Sequence, residues 1–220
     1  MLSAASSDRP EPASDCPLCP RLVAFRETWR AKEPSWHNAP VPTFGSTGAR
    51  FLIVGLAPGL RGANRTGRPF TGDFAGDLLY RTMLDFGFAS GAYGASPDDG
   101  LVLVDAAIAN AVRCVPPENK PTPAEIGICR RFLVATMEKM PDLAAILALG
   151  RIAHDSTVVA LGIKRAAAPF AHGAIHAVRD GLTLHDSYHC SRYNTNTGRL
   201  TEPMFRNVFE GIRARLAGHR

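Results

Sequence analysis

Polar residues stand at the ends of three predicted strands, where their side chains could meet. Asp73 closes a glycine-rich stretch after the first strand, and Asn110 lies at the end of the second. His189 follows a strand near the C-terminus, in a segment rich in asparagine and threonine. The carboxyl ends of parallel strands share one edge of an α/β sheet, and ligands bind there. We therefore expect these ends to converge. A lone histidine in a polar loop is more often a surface residue, but a facing glycine loop favours chemistry.

The glycine-rich stretch, residues 55–76, organises the chain around it. The four apolar residues 51–54 predict a buried strand, and leucines and methionines at helical spacing follow Asp73. Between them lies a long loop with glycines at positions 55, 59, 62, 67, 72 and 76. Loops of this length in compact domains are uncommon and often functional. We predict an active-site loop at the carboxyl edge of the sheet.

Arginines are concentrated in the same loop and in the C-terminal one. Arg61, Arg65 and Arg68 lie in the glycine-rich stretch, and Arg192 and Arg199 lie beyond His189. The formal net charge is only +5, which favours an anionic partner without naming one. Any single arginine is more often a solvated surface residue, but several in one site-like loop indicate contacts with phosphate.

The cysteines predict a metal site rather than disulfides. Cys16 and Cys19 form a Cys-x2-Cys pair, which could be joined by Cys114 and Cys129. A redox role is disfavoured because the pair follows a polar tail instead of a strand. Both zinc and an iron–sulfur cluster accept four thiolates, and the spacing does not choose between them. The alternative is that two of the four are buried apolar residues.

Strands and helices alternate along the chain. Besides 51–54, strands are predicted at 101–105 continuing towards Asn110, at 144–150 and, more weakly, at 175–178. Helices are predicted at 22–31, after Asp73, and at 123–140, 152–161 and 203–216. In the first of them we expect Leu22, Val23, Phe25 and Trp29 to face inward. A capping box of Thr122 and Glu125 marks the start of the third. The order predicts an α/β protein, a three-layer α/β/α sandwich around a mainly parallel sheet.

Composition sets the remaining expectations. Hydrophobic residues make up 45% of the 220, enough for a substantial core. The N-terminal segment is polar, lacks a secretory signal and predicts a flexible tail over 1–15, with a single domain over 16–220. No apolar run approaches the ~20 residues needed to span a membrane. We expect a cytoplasmic protein.

Two motifs give a specific resemblance. The segments GLAPGLRGANRTGRPFTGDFAGD, beginning at Gly55, and HCSRYNTNTGRLT, beginning at His189, resemble the signatures of family 5 (type b) uracil-DNA glycosylases. Cys16, Cys19, Cys114 and Cys129 fall where this branch holds a 4Fe-4S cluster. The resemblance implies a central four-stranded parallel sheet between helices. It also implies hydrolysis of the N-glycosidic bond of uracil or other deaminated bases flipped out of double-stranded DNA.

The resemblance also implies roles for individual residues. Phe70 would stack on the flipped base, Asn110 would recognise the base or position water, and His189 would face the base oxygen. The implied base-binding set is Gly55, Leu56, Ala57, Phe70 and Asn110. The implied DNA-binding set is Arg61, Asn64, Arg65, Arg68, Ser191, Arg192, Asn194 and Arg199. These roles predict a monofunctional glycosylase, acting as a monomer, whose preferred damaged base stays open.

Several alternatives remain at this point. Ala57 stands where other branches carry the residue that activates water, so Asp73 is a rival activator; otherwise Asp73 caps the following helix. The missing group at Ala57 also favours a catalytically silent module that binds damaged DNA and carries an iron–sulfur cluster. Asn110 and His189 argue against that module, because binding phosphate needs no polar groups in a base pocket. A nucleotide-binding enzyme of doubly wound type lacks its glycine signature.

Overall fold

The computed structural model describes residues 11–179 and 181–218. Its main sheet has six strands in the order β1-β5-β2-β6-β8-β7. The strands are β1 (Phe44–Gly45), β2 (Phe51–Gly55), β5 (Ala106–Asn110), β6 (Ala145–Leu149), β7 (Ile175–Arg179) and β8 (Leu182–Ser187). The four central strands are parallel and the two edge strands are antiparallel to their neighbours. The predicted parallel four-stranded sheet is therefore confirmed, with an antiparallel strand added at each edge.

Helices cover both faces of the sheet. The helices are α1 (Pro20–Lys32), α2 (Ala63–Thr66), α3 (Phe74–Asp85), α4 (Pro123–Glu138), α5 (Arg151–Ala160), α6 (Arg192–Asn196) and α7 (Glu202–Ala217). Along β2, Phe51 and Ile53 enter a core shared with α3 and α7, whereas Leu52 and Val54 enter a core shared with α4 and α5. This alternation buries both faces of one strand and produces the predicted three-layer sandwich.

The predicted second strand, 101–105, is wrong in its extent. Val102–Leu103 (β4) instead pairs with Ala89–Ser90 (β3) in a separate two-stranded sheet. The extended conformation is interrupted at Asp105, whose φ is +51°, and the main-sheet strand β5 starts one residue later. The Asp105 carboxylate accepts hydrogen bonds from the backbone N–H and the guanidinium of Arg50. This pairing at the entrance of β2 stops the run of apolar residues from continuing as one strand.

The helix signals are confirmed in position and partly in orientation. Thr122 and Glu125 form the predicted capping box at α4. In α1 the buried residues are Leu22 and Arg26, whereas the predicted inward residues Phe25 and Trp29 are only half-buried. None of the described helices is both long and apolar enough to cross a membrane.

Part of the predicted N-terminal tail, residues 1–10, lies outside the described residues. In the described part, the Glu11 carboxylate accepts from the backbone N–H of Thr43 at 3.0 Å and lies 3.2 Å from the Arg113 guanidinium. Asp15 forms an ion pair with Arg30 on α1 at 2.7 Å. These contacts attach residues 11–15 to the domain.

Candidate active site

Strand β2 ends at Gly55, where the chain has no room for a side chain. A Cβ at this position would lie 2.4 Å from Oδ1 of Asn110 and 2.7 Å from the ring of Phe70. Asn110 ends the neighbouring strand β5 in register with Gly55. The glycine thus lets an amide and an aromatic ring approach each other at the carboxyl edge of the sheet.

These two side chains line an open pocket of about 410 Å³. Its lining includes the residues predicted at the three strand ends, namely Leu56, Ala57, Phe70, Asp73, Asn110, His189 and Ser191. Asn110 is buried, and its Oδ1 has no hydrogen-bond partner in the part of the chain that the structure describes. A buried amide oxygen without a partner is costly unless a ligand donates to it. The Asn110 amide at the pocket wall has both a hydrogen-bond acceptor and a donor group, so the pocket is suited to a polar ligand edge that carries an N–H or a carbonyl group.

Phe70 and His189 lie beside each other in the pocket lining. Their ring centroids are 5.9 Å apart with an interplanar angle of 28°. His189 follows β8, and its backbone carbonyl accepts a hydrogen bond from Nδ2 of Asn194 at 2.8 Å. Burial lowers the pKa of His189 to about 4. The imidazole is thus neutral at physiological pH and can donate one hydrogen bond to a ligand oxygen.

The Asp73 carboxyl both caps a helix and lines the pocket. It is the N-cap of α3, where its Oδ1 accepts from the backbone N–H of Gly76 at 3.2 Å. The predicted cap is therefore confirmed. The same carboxyl lines the pocket beside Gly59 and Gly62, and burial raises its pKa. A carboxylate that caps a helix and also faces the pocket keeps an oxygen for water.

Four lining residues escaped the sequence analysis, namely Ala63, Phe74, Ala75 and Asn119. Asn119 lines the pocket from the loop before α4, with a left-handed backbone of φ +57°. Phe74, at the start of α3, is 37% exposed and lies 5.1 Å below the guanidinium of Arg192. Nothing in the sequence of the proline-rich loop around Asn119 indicates that this loop reaches the pocket. Phe74 resembled an ordinary helix residue because the stacking arginine is distant in sequence.

Exposed arginines surround the pocket. Arg61 and Arg65 line an adjoining open cavity of about 640 Å³, together with Arg192. On the other side of His189, Arg199 stacks on Tyr188 at 4.7 Å and Arg151 on Phe170 at 5.2 Å, both lining a cavity of about 460 Å³. Arg151 was not predicted. The cationic surface therefore extends across both flanks of the pocket.

Two predicted DNA contacts are wrong. Arg68 is buried, and its guanidinium makes two hydrogen bonds to Asp99 at 2.8 and 2.7 Å. Asn64 is buried at 1% exposure and donates to Oδ1 of Asn38 at 2.9 Å. Neither side chain can reach a phosphate without breaking the loop. Ser191 caps α6 by accepting from the backbone N–H of Asn194, so both residues shape the turn after His189.

The four predicted metal-site cysteines line one small cavity. Cys16 and Cys19 precede α1, Cys114 follows β5, and Cys129 lies on α4. The backbone N–H of Arg113 donates to Sγ of Cys129 at 3.2 Å. The fifth cysteine, Cys190, is buried elsewhere, and its thiol faces the carbonyl of Ala75. Residues far apart in sequence thus gather around a shared apolar space.

A second group of potential ligands lies behind β8, but its hydrogen bonds favour an ion pair. Nδ1 of His154 lies 2.7 Å from Asp186, and Nε2 lies 2.8 Å from the carbonyl of Ala168. Because both neighbours are acceptors, both nitrogens carry protons. Burial, the largest single effect, opposes this charge, but the hydrogen bond to Asp186, the charge of Asp186 and the Ala168 carbonyl together outweigh it and raise the pKa of His154. His176 contacts the second carboxylate oxygen at 3.2 Å. In this arrangement both ring nitrogens of His154 act as donors, which makes the group an ion pair around Asp186.

Comparison with known proteins agrees with this geometry. The sequence profile of the uracil DNA glycosylase superfamily matches residues 42–213. The chain therefore belongs to the uracil-DNA glycosylase superfamily, and its α/β/α fold with a pocket at the carboxyl edge is consistent with that class.

Within the superfamily, the similarity is to one branch. A type-5 uracil-DNA glycosylase from Thermus thermophilus is 46% identical over 92% of this chain and 94% of its own length. A type-5 enzyme from Pyrobaculum aerophilum is 39% identical over 85% and 83%. A type-4 uracil-DNA glycosylase from Thermotoga maritima is 37% identical over half of each chain. The resemblance read from the two motifs is confirmed.

Proposed function

We propose that the protein is a monofunctional DNA glycosylase that hydrolyses the N-glycosidic bond of uracil in double-stranded DNA. The observation that carries the proposal is the pocket that Asn110, the Phe70 ring and a neutral His189 line together. Such a pocket matches a planar base that has one N–H donor and one carbonyl acceptor. Other deaminated bases with the same pair of groups are secondary candidates.

The base enters the pocket flipped out of the helix. Flipping costs a few kcal/mol, which stacking and hydrogen bonds in the pocket offset. In the proposed complex, Phe70 stacks on the base and the Asn110 amide forms a hydrogen bond with its polar edge. His189 donates to a base carbonyl, where negative charge grows as the bond to the sugar breaks. A donor placed there stabilises the transition state more than the ground state.

Two groups compete for the attacking water. Asp73 offers a carboxyl oxygen at the pocket wall, and the raised pKa of this carboxyl brings it closer to the range of a general base. Asn110 offers only an amide, which orients water but does not take its proton. Asp73→Asn keeps an oxygen for the helix cap and removes the basicity. A collapse of the excision rate assigns the water to Asp73, whereas a near-parental rate leaves it as a cap.

Phosphate contacts come from the exposed arginines on both flanks, Arg61, Arg65, Arg192 and Arg199, with Arg151 added. Such contacts release counterions, so affinity for undamaged duplex should fall steeply as salt rises. Replacing Arg61 by Gln should reduce the slope of log affinity against log salt by about one. The matched control is Arg81→Gln, since Arg81 is exposed on α3 but pairs with Glu202 away from the pocket. An affinity independent of salt would contradict this surface.

We also propose that Cys16, Cys19, Cys114 and Cys129 hold a 4Fe-4S cluster. Among the described residues, no three of these sulfurs lie within 4.8 Å of one another. A single zinc ion, at about 2.3 Å from each sulfur, requires all four within about 3.8 Å. The wider arrangement around one cavity suits a larger cluster. When bound, the cluster would join α1, the segment after β5 and α4, and supply folding energy.

Two buried arginines support this fit. Arg26 and Arg113 are 3% and 1% exposed, both line the cysteine cavity, and each has an Nε without a partner among the described residues. Buried cations need compensating negative charge. Glu27, 3.7 Å from Arg26, and Glu11, 3.2 Å from Arg113, supply part of it, and four thiolates bound to a cluster would add more. Iron and sulfide analysis of anaerobically purified protein tests the assignment; stoichiometric zinc without iron would overturn it, and Cys16→Ala should lose solubility.

The decisive assay is excision from a duplex that contains one uracil, read as strand cleavage after alkali treatment. Turnover supports the glycosylase. Binding without cleavage would support the alternative, a catalytically silent module that recognises damaged DNA, for which Ala57 is the argument. A panel with hypoxanthine and xanthine in place of uracil would show whether the small side chain of Ala57 broadens the range of bases.

We further propose that the protein works as a monomer in the cytoplasm. Sedimentation equilibrium tests the monomer, and fractionation of cells tests the location.

A further inference from the structure

Arg68 lies in the glycine loop but points away from the pocket, into a buried polar group behind it. Its side chain and that of Asp99 are 6% and 5% exposed. Asp99 also accepts from the backbone N–H groups of Gly94 and Leu101, at 2.9 and 3.0 Å. The guanidinium of Arg68 lowers the pKa of Asp99, so the pair is charged. Because this buried ion pair has two parallel hydrogen bonds, it fixes the glycine loop at Arg68 relative to the segment that contains Asp99.

Two tyrosines complete this group. The rings of Tyr80 and Tyr93 are 4.7 Å apart, and both lie under the guanidinium of Arg68, at 5.5 and 5.9 Å. The Tyr80 hydroxyl donates to the carbonyl of Pro69 at 2.5 Å. The Tyr93 hydroxyl donates to the carbonyl of Phe70 at 3.2 Å. The group therefore holds two consecutive carbonyls of the glycine loop.

Those carbonyls belong to the residues that set the base platform. Phe70 has a left-handed backbone, φ +52°, which a bulky residue adopts only where its surroundings enforce it. A Cβ at Gly76 would lie 1.9 Å from the Phe70 carbonyl and 2.4 Å from the Tyr93 hydroxyl, so this glycine makes room for the bond. The strained backbone of Phe70 lies next to the pocket and is held by these hydrogen bonds. Such an arrangement indicates that the surrounding residues fix the orientation of the Phe70 side chain.

We propose that Arg68, Tyr80, Tyr93 and Asp99 form a buttress that aims the Phe70 ring into the base pocket. The inference rests on the proposed role of Phe70 and deepens it. It assigns a positioning function to the segment 91–100, which supplies Tyr93 and Asp99 and whose sequence indicates only a turn-rich linker. None of the four touches the pocket in the described structure, so they act on the base through Phe70.

Tyr93→Phe is the sharpest test, because it removes one hydroxyl and keeps the ring stack. Loss of one neutral hydrogen bond corresponds to about a two- to tenfold effect. We expect the single-turnover rate of uracil excision to fall by about that factor, while affinity for abasic DNA stays at the parental value. Asp99→Asn should slow excision more, by about ten- to a hundredfold, because it weakens charge-assisted bonds.

A double-variant cycle separates aiming from a merely structural effect. If Tyr93 acts through Phe70, Tyr93→Phe should have no further effect on the rate in a Phe70→Ala background. An additive loss in the double variant would overturn the proposal. If Phe70→Ala alone leaves excision unchanged, the role of Phe70 fails; if Phe70→Ala is slow but Tyr93→Phe matches the parent, only the buttress fails.

Asp105→Asn provides the matched control. Asp105 also binds an arginine, Arg50, through a two-nitrogen contact, but at the amino end of β2, opposite the pocket. This variant should lower the melting temperature without changing the excision rate of the folded protein. A rate loss equal to that of Asp99→Asn would show that disturbing any such pair slows excision, and would contradict a specific role for the buttress.

Discussion

Two histidines near the end of strand β8 carry opposite charge states, although burial lowers the pKa of both. His154, on α5, is protonated because Asp186 and the Ala168 carbonyl accept from both ring nitrogens. His189, three residues after Asp186, is neutral, and burial lowers its pKa to about 4. One histidine is a structural cation, and the other is an uncharged donor facing a pocket.

The difference shows what the environment must supply for each role. Desolvation alone disfavours the charged imidazole, and only a carboxylate in contact reverses the sign. Asp186 directs both oxygens towards His154 and His176, away from the pocket. His189 therefore receives no counter-charge, although the carboxylate is close in sequence. A neutral donor suits developing negative charge on a base, since it adds no cation that would hold the anionic product tightly.

The largest expected effect is on stability. His154→Ala leaves Asp186 without its nearest cationic partner, and breaking a buried pair costs about 3–5 kcal/mol. We expect the free energy of unfolding, measured in urea, to fall by that order. The double variant His154→Ala, Asp186→Ala should lose less than the sum of the two single variants. Equal stability of His154→Ala and the parent would show that His154 is not a paired cation.

The next effect is on catalysis. His189→Ala removes a donor to the base oxygen, and loss of one such donor costs about 10²–10³ in rate. Single-turnover excision of uracil should slow by this factor. Affinity for abasic DNA and the free energy of unfolding should change little, because the charge that His189 serves exists only in the transition state. If His189→Ala excised uracil at the parental rate, the assignment of the second motif, which begins at His189, to the active site would be wrong.

The sequence predicted more of the fold than of the site. Hydrophobic runs at 51–54 and 144–150 gave the central strands, because fully buried parallel strands show as continuous apolar segments. The run at 101–105 was predicted to continue as one strand to Asn110, but it is interrupted at Asp105, whose contact with Arg50 forms only in the folded chain. Apolar patterns report burial, and they do not report where a long-range polar contact ends an element.

The charged residues show the same limit. Arg61, Arg65 and Arg68 are indistinguishable in sequence, yet Arg68 is buried against Asp99, 31 residues away. The protonation of His154 depends in the same way on Asp186, which is 32 residues distant. The motif resemblance located His189 and Asn110, but the charge state of each histidine follows from partners that a single sequence does not reveal.

A smaller effect is the dependence of stability on pH. The pKa of His154 is raised, so its contribution is complete below about pH 6.5, the unfolded value, and is lost as pH rises through the folded pKa. Each unit of that shift is worth about 1.4 kcal/mol. His154→Ala should abolish this alkaline loss in a series of urea titrations from pH 6 to 9. A parental slope in the variant would assign the loss to another group.

The smallest expected effect concerns the pH dependence of kcat/KM, in which we expect no titration of His189. With a pKa of about 4, His189 stays neutral from pH 5.5 to 8, so it should change kcat/KM less than about twofold over that range. The measurement is kcat/KM for uracil excision against pH at constant ionic strength, because salt alone alters DNA binding. His189→Gln serves as the reference, since the amide donates a hydrogen bond but does not titrate. An inflection near pH 6.5 that disappears in His189→Gln would show a charged imidazole in the free enzyme and would abolish the contrast with His154.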